Sequence, residues 1–473
     1  MEKYYDFKLE PGKKLNKIEF DNYQVLISVI IPFYNDEKYI EQSVNCILNQ
    51  TFPHFELLII DDGSKDEKSL KKLEIVSKLD ERIKVFHKEN EGLAATRDYG
   101  ANKASKSSKY FMFLDSDDLI EKTFLECAYW SLETNKEATW VYSDSCGFDA
   151  YNYLWNCWFD SDKLKKVNDL ESSNFIRKDH FYEVNGYELR EKSVNEDWNF
   201  WLKQISKMHF PVHMSFYAKG YRRKNTGELL KAKQNRKRSL EIINKTVKTV
   251  KARVEAIQYP RNNKVFKLSK IDYLKYKSNK AAKQNILIFL DNLNDDKKDK
   301  LKEIIKLSKL NNIVVVLTKP DKNILRQEFE KKVIVYDLSS FLDRNYWVTF
   351  IDYLINKESI NKIMVYDEVA YNLIPYLKEN YNDININKEY LENEKINSEE
   401  IINNYLKNSS DNYNEIIMRY FKDIYGESYV DIDGNNKYNY RKQLLKEKLW
   451  NNSLWRKFVN SKLWKFLKKV IKK

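Results

Sequence analysis

The chain has 473 residues, too many for one ordinary core, and 42% of them are hydrophobic, which excludes general disorder and implies two or more folded domains. Its net charge of +13 lies mostly in residues 441–473, where twelve Lys and Arg stand against the single acid Glu447. A nucleic-acid partner, which calls for basic residues across a folded face, is therefore not expected.

The four Cys form no CxxC pair, so neither a zinc site nor a disulfide framework is signalled by them. Residues 1–24 are a polar lead without an apolar leader, and the chain has no apolar run of about 18 residues. A reducing cytoplasm is the expected compartment.

Val25–Pro32 is a β-branched run ended by proline and predicts a buried strand. Tyr34–Asp36 is a loop, and Glu37–Gln50 has helical spacing. Phe55–Ile60 predicts a second strand closed by Asp61-Asp62-Gly63-Ser64, then a helix over Asp66–Leu79 and a strand over Ile83–Phe86. Asp61 and Asp62 suit a nucleobase N–H or ribose hydroxyls, while Ser and Asp at this place equally suit a helix N-cap. Gly63 allows a tight turn or a close backbone approach. Arg97, on a helix predicted over Thr96–Ala104, either forks onto phosphate oxygens or lies on an exposed face.

Tyr110–Leu114 predicts a short buried strand that ends in Asp115, Asp117 and Asp118. Alternation puts Asp115 and Asp117 on one side of the emerging chain, where two like charges repel unless a cation lies between them. Hard carboxylate oxygens suit Mg²⁺ or Mn²⁺, which completes its shell with substrate phosphates; the competing reading is a polar loop. Strands alternating with helices imply a mainly parallel sheet, with Asn35, Asp62 and Asp117 on one rim.

The segments VIIPFYND, LLIIDDGSKD, NEGLAATRDYG and MFLDSDD, in this order, resemble the successive motifs of family-2 inverting glycosyltransferases with the GT-A fold. The resemblance implies that Pro32, Tyr34, Asp61 and Asp62 contact the base and ribose of a sugar-nucleotide donor, a UDP-sugar. It implies that Asp115 and Asp117 hold ribose and the divalent metal, Mn²⁺ or Mg²⁺, on the diphosphate. Asp98 departs from the family, which usually has Asn there. Asn195-Glu196-Asp197-Trp198 reads locally as acids in a helix first turn. It is also similar to the family's ED motif, which makes Asp197 the general base with Glu196 as the alternative. Tyr221-Arg222-Arg223-Lys224 is similar to a Tyr-Arg-x-His segment near the diphosphate. Lys224 replaces the His and cannot ligate a metal while protonated, so Arg222, Arg223 and Lys224 are expected to neutralise the diphosphate or to form a solvated charge run.

Trp140–Ser143 predicts a further strand, and Tyr151, Tyr153, Trp155 and Trp158 are either sugar-stacking or core aromatics. Asn168–Lys178 and Asn185–Glu188 are similar to the family's acceptor-side elements. Four more short strands, Asn285–Asp291, Ile313–Thr318, Val333–Leu338 and Ile363–Asp367, alternate with helical patterns over Lys297–Leu310, Tyr346–Ile355 and Ala370–Asn380. This second α/β unit has no GxGxxG turn and resembles the N-terminal half of a GT-B-type glycosyltransferase, without a second catalytic site. The tail pairs Leu-Trp dipeptides with Lys, which suits an anionic membrane surface or packing on its own protein.

The expected class is α/β: an N-terminal extension (1–24), a GT-A glycosyltransferase domain (25–227), a basic helical connector (228–282), a smaller Rossmann-like domain (283–385), a helical polar segment (386–440) and a basic amphipathic tail (441–473). The expected function is metal-dependent inverting transfer to a hydroxyl of a cell-surface or lipid-linked glycan, by a peripheral protein at the inner face of the plasma membrane. A scaffold of a glycan-assembly complex and a sugar nucleotidyltransferase are the alternatives.

Overall fold

The computed structural model describes residues 23–168, 170–187, 195–224, 236–259, 274–278, 282–293, 298–321, 333–371 and 373–388. The N-terminal lead, Glu188 and the expected polar segment and basic tail beyond 388 lie outside the described residues. All described residues belong to one compact unit, 1–261 with 268–395, which holds two sheets.

The first sheet begins with β1 (Ile27–Phe33), whose seven residues are all buried. A strand covered on both faces reads as a continuous apolar run, which is why this one was legible. It pairs in parallel with β2 (Phe55–Asp61) and with a strand over Tyr110–Phe113, and β2 pairs in parallel with β3 (Ile83–His87). Helices α1 (Ile40–Leu48), α2 (Glu67–Ser77) and α3 (Leu93–Lys103) connect these strands. Gly100 lets α3 lie close on the sheet, since a Cβ there would stand 2.5 Å from Ile30 Cγ2. Register puts Phe33 beside Asp61 and Asp61 beside His87, so the loops that follow these strands leave from one rim.

Beyond the Tyr110–Phe113 strand, β4, the sheet departs from the parallel expectation. The remaining strands are β5 (Leu119–Ile120), β6 (Trp140–Asp149), β7 (Tyr153–Trp155), β8 (Phe175–Arg177) and β9 (Pro211–Arg223), in the order β3-β2-β1-β4-β8-β6-β9-β5 with β7 on β6. β8 runs antiparallel to both β4 and β6. A parallel neighbour needs a long crossover, usually a helix. Here the only helix between β7 and β8 among the described residues is the single turn α5 (Ser161–Leu164), after α4 (Phe124–Thr134) earlier in the chain. The long β6–β9 pairing, irregular at Ser143–Ser145, delivers Tyr221–Lys224 back to the rim. Helices α6 (Lys178–Glu183) and α7 (Glu196–Ser206) follow β8, and α8 (Arg236–Val247) donates from Thr246 Oγ1 to Asn199 Oδ1 at 2.6 Å.

The second sheet is all parallel: β10 (Asn285–Leu290), β11 (Asn312–Leu317), β12 (Ile334–Asp337), β13 (Lys362–Val365) and β14 (Asn385–Lys388), ordered β12-β11-β10-β13-β14. Its helices include α9 (Lys298–Leu307), α10 (Leu338–Phe341) and α11 (Trp347–Lys357). The single helix expected over Ala370–Asn380 is two, Glu368–Tyr371 and Ile374–Asn380. Pro375 has no N–H to give and its ring clashes with the preceding turn, so the helix restarts there.

α4 joins the two sheets. Its Glu126 is fully buried and accepts from Lys357 Nζ at 2.6 and 2.8 Å, and from the hydroxyls of Tyr336 and Tyr353. Burial alone would raise this carboxyl, but Lys357 and the tyrosines overcome it and hold the group below its ordinary range.

Candidate active site

Three strand-end loops tie the rim together. Asn35, in the left-handed region at φ 47°, accepts on Oδ1 from Lys65 and Asp66 N–H at 3.2 and 3.3 Å. Asp61 is buried and accepts from Ser64 N–H at 3.0 Å, and its other oxygen is 2.8 Å from His87 Nδ1. Asp62 accepts from Lys88 Nζ at 2.7 Å and from the N–H groups of Glu91 and Gly92 at 3.0 and 2.9 Å. Gly63 has φ 74°, and a Cβ there would crowd Asn90 N at 3.0 Å, so both reasons given for a glycine hold. The helix-cap reading of Asp61–Ser64 is corrected: α2 is capped by Asp66, which accepts from Ser69 N–H at 2.8 Å. Pro32 is buried inside β1, and Tyr34 stands 50% exposed just past its end.

Arg97 differs most from expectation. It is neither on an exposed face nor free for phosphate but wholly buried, because α3 turns this position toward the sheet. Its Nη2 donates to Asp115 Oδ1 at 2.6 Å and its Nη1 to Glu196 Oε1 at 2.7 Å. Asp115 accepts on its other oxygen from Ser172 Oγ at 2.9 Å. One guanidinium therefore links the loop after β4 to the first turn of α7. Asp98, the departure from the family pattern, accepts from Tyr187 N–H at 2.9 Å and so joins α3 to the turn after α6. An Asn carbonyl oxygen would accept the same bond.

Asp117 pairs with Lys224 Nζ at 2.7 Å, and Lys224 also lies 3.3 Å from Asp36 Oδ1. Burial lifts the Asp117 carboxyl above its ordinary range; Lys224 opposes this, while Asp115 and Asp36 add to it. Asp118 is buried and accepts from Arg222 N–H at 2.9 Å. Arg222 is not available to a diphosphate: Nε donates to the Asp117 carbonyl at 2.8 Å, Nη2 to Gln42 at 2.6 Å, and Nη1 lies 3.2 Å from Asp149. Its side chain is buried because β9 carries it inward, and Lys224 is the cation set against Asp117 and Asp36.

Asn195, at φ 71°, turns the chain into α7. Asp197 accepts from Trp198 N–H at 2.7 Å and from Asn168 Nδ2 at 3.0 Å. Burial, then the Glu196 charge, raises its carboxyl from 3.8 to about 7, against the opposing pull of Arg97. Glu196 itself is buried and committed to Arg97. The roles of Asp36, Ser172 and Asn168 were missed from sequence. Asp36 lies inside the first motif, but nothing local distinguishes it from a loop acid.

Residues 28–198 match the profile of glycosyl transferase family 2, so the N-terminal part of the chain is a domain of that family with a GT-A-like sheet. An uncharacterized glycosyltransferase of Haemophilus influenzae is 30% identical over 200 residues, covering 39% of this chain and 61% of its own. TuaG of Bacillus subtilis, whose name places it provisionally in teichuronic acid biosynthesis as a glycosyltransferase, is 38% identical over 133 residues, covering 28% and 48%. An uncharacterized glycosyltransferase of Rickettsia conorii is 47% identical over 109 residues, covering 23% and 17%, so the chain spans less than two thirds of each of these relatives. Among solved structures, S. aureus TarS 1–349 in complex with UDP-GlcNAc is 21% identical, covers 44% of this chain and 61% of its own, and has a TM-score of 0.38. A TM-score this low sets no residue-level correspondence.

Proposed function

We propose that the chain is an inverting glycosyltransferase that moves a sugar from a nucleoside-diphosphate sugar, a UDP-sugar, to a hydroxyl of a cell-surface or lipid-linked glycan. The observation that carries this is the carboxyl of Asp197, raised to about 7 and held by Asn168, one residue from the Glu196–Arg97–Asp115 bridge. A general base works best when its pKa lies near the working pH. Asp197 takes the proton of the acceptor hydroxyl, whose oxygen bonds to the anomeric carbon from the face opposite the diphosphate. The carbon–oxygen bond to the diphosphate breaks, and the nucleoside diphosphate departs with that electron pair. Arg97 keeps the base and the donor-side loop in one fixed relation, which saves orientation entropy.

The residues fit a hard divalent cation. Burial lifts the Asp117 carboxyl and the charges of Asp115 and Asp36 add to it, a cost that a cation would relieve, and carboxylate oxygens suit Mn²⁺ or Mg²⁺. Asp117 would hold the ion, with Asp115 assisting and Lys224 moving off the shared carboxylate; the ion would supply positive charge for the leaving diphosphate. The basic tail suits attachment to an anionic membrane surface, and no described helix is long and apolar enough to cross a membrane.

A panel of sugar nucleotides with Mn²⁺ or Mg²⁺, read by nucleoside diphosphate release, tests this. Wild type should release it with one donor and a glycan acceptor, and Asp197→Asn and Asp117→Ala should each lose transfer while remaining folded. Pyrophosphate release would select a nucleotidyltransferase instead. Full transfer by both variants would overturn the assignment of the base and the metal carboxylate.

A further inference from the structure

We propose that His180, Glu183 and His209 form a Zn²⁺ site that fastens α6 to the end of α7, separate from the carboxylates of the rim. Two of the chain's five histidines meet here, and the three ligand atoms all lie within 4.8 Å of one another. His180 and Glu183 are three apart on α6 and so share one side of it. His209 is presented by a left-handed turn at Met208, φ 63°, which a residue with a side chain adopts only when its surroundings require it.

The hydrogen bonds around the rings prepare them as ligands. Gln204 Nε2 donates to the His180 carbonyl at 3.2 Å, which fixes its amide with Oε1 toward His209. Nδ1 of His209, 2.6 Å from that oxygen, therefore carries the hydrogen. Nδ1 of His180 lies 2.9 Å from Asp179 Oδ1, a carboxylate that can only accept. Each ring is thereby left with Nε2 as the nitrogen able to give a lone pair. A metal-bound imidazole commonly donates its other N–H to just such a carboxylate or carbonyl oxygen.

Nε2 of His209 lies 3.2 Å from Glu183 Oε2. With Zn–N of about 2.0–2.1 Å and Zn–O of about 2.0–2.2 Å, two ligand atoms across a tetrahedral ion stand about 3.3 Å apart. A proton on His209 would also satisfy Glu183, but it would set an imidazolium against the His180 ring, whose centroid is 4.5 Å away. An ion that takes both rings turns that crowding into coordination. Two imidazoles and one carboxylate make a zinc set with a fourth place for water, and Glu183 is exposed to solvent. The staple would be structural: α6 buries Phe181 in the core and bonds from the Tyr182 hydroxyl to the Ala101 carbonyl of α3, while α7 begins at Glu196 and Asp197.

The test uses the full chain, stripped with chelator and kept in excess Mg²⁺ so that the rim carboxylates are occupied. Calorimetric titration with Zn²⁺ should show one equivalent that Mg²⁺ does not displace. Co²⁺ should give the visible bands of a four-coordinate site, and Zn²⁺ should raise the melting temperature. Glu183→Gln, at an exposed position, and His180→Gln, at a half-buried one, should weaken this binding about 100-fold or more with unchanged circular dichroism. Asp117→Asn should leave the equivalent in place. Absence of stoichiometric Zn²⁺ binding, or binding unaltered in both α6 variants, would overturn the site whatever the outcome of the transferase assay.

Discussion

As the proposed base, Asp197 would carry both the chemistry and its cost. Its carboxyl is raised to about 7, first by burial and then by Glu196. The base must be ionised to act, so kcat/KM should climb with pH and level off above about 7. Glu196→Gln removes a charge that raises this pKa, so the acid limb should move to lower pH, read from the pH–rate profile. The same shift acts on stability. Ionising Asp197 is harder in the folded chain than in the unfolded one, so stability is lost as pH rises from 3.8 through about 7. Asp197→Asn should therefore be more stable than wild type at neutral pH, by about 1–2 kcal/mol in denaturant unfolding, with the gap closing at acid pH. Lys224 poses the complementary case. Its ammonium rests on Asp117 where a divalent cation would compete. Lys224→Ala should tighten Mn²⁺ binding about tenfold, measured by titration of the free ion; weaker binding would mean that Lys224 orders the carboxylates instead of blocking them.

At the scale of elements, Asp98 and α3 show what sequence could and could not carry. Asp98→Asn should cost less than about 0.5 kcal/mol, because an amide oxygen still accepts from Tyr187 N–H, whereas Asp98→Ala should cost about 1–2 kcal/mol in denaturant unfolding. Strands such as β1 and β11 were legible because burial on both faces leaves an unbroken apolar run. β14, with sequence Asn-Ile-Asn-Lys, carries no such run and is a strand only because β13 offers an edge. α4 is buried almost all round, so its apolar residues lack the one-sided period that marks a surface helix. The candidate residues on strand-end loops could be picked out because their motifs are local. The direction of Arg97 was not, because Glu196 and Asp115 lie 99 and 18 residues away and only the fold brings them to one guanidinium.

At the scale of the whole molecule, the question is whether the two sheets unfold as one body. Glu126 and Lys357 are both buried; Lys357 also lies 3.3 Å from Glu358, but Glu126 loses its counter-charge when Lys357 is removed. Breaking a buried pair from one side costs about 3–5 kcal/mol, whereas replacing both partners by groups of similar shape is often close to neutral. Lys357→Met alone should therefore destabilise by that amount. Glu126→Gln with Lys357→Met should recover most of it, since the amide oxygen still accepts from Tyr336 or Tyr353. The carboxyl of Glu126 is held below its ordinary 4.5, so the wild-type contribution is complete above that pH and is lost as pH falls beneath it. α4 also turns Trp130 against Phe350 and Tyr353 of α11, with ring centroids 5.0 and 5.1 Å apart. Removing the second sheet would open this apolar side of α4 to water, so a chain cut after Arg261 should aggregate or unfold in milder denaturant than the full chain. Equilibrium unfolding followed at tryptophan in both lobes distinguishes the cases: one shared transition that moves with Lys357→Met means the lobes are a single cooperative body. Two transitions, of which only one moves, would show that the second sheet is a separate module resting on the transferase domain.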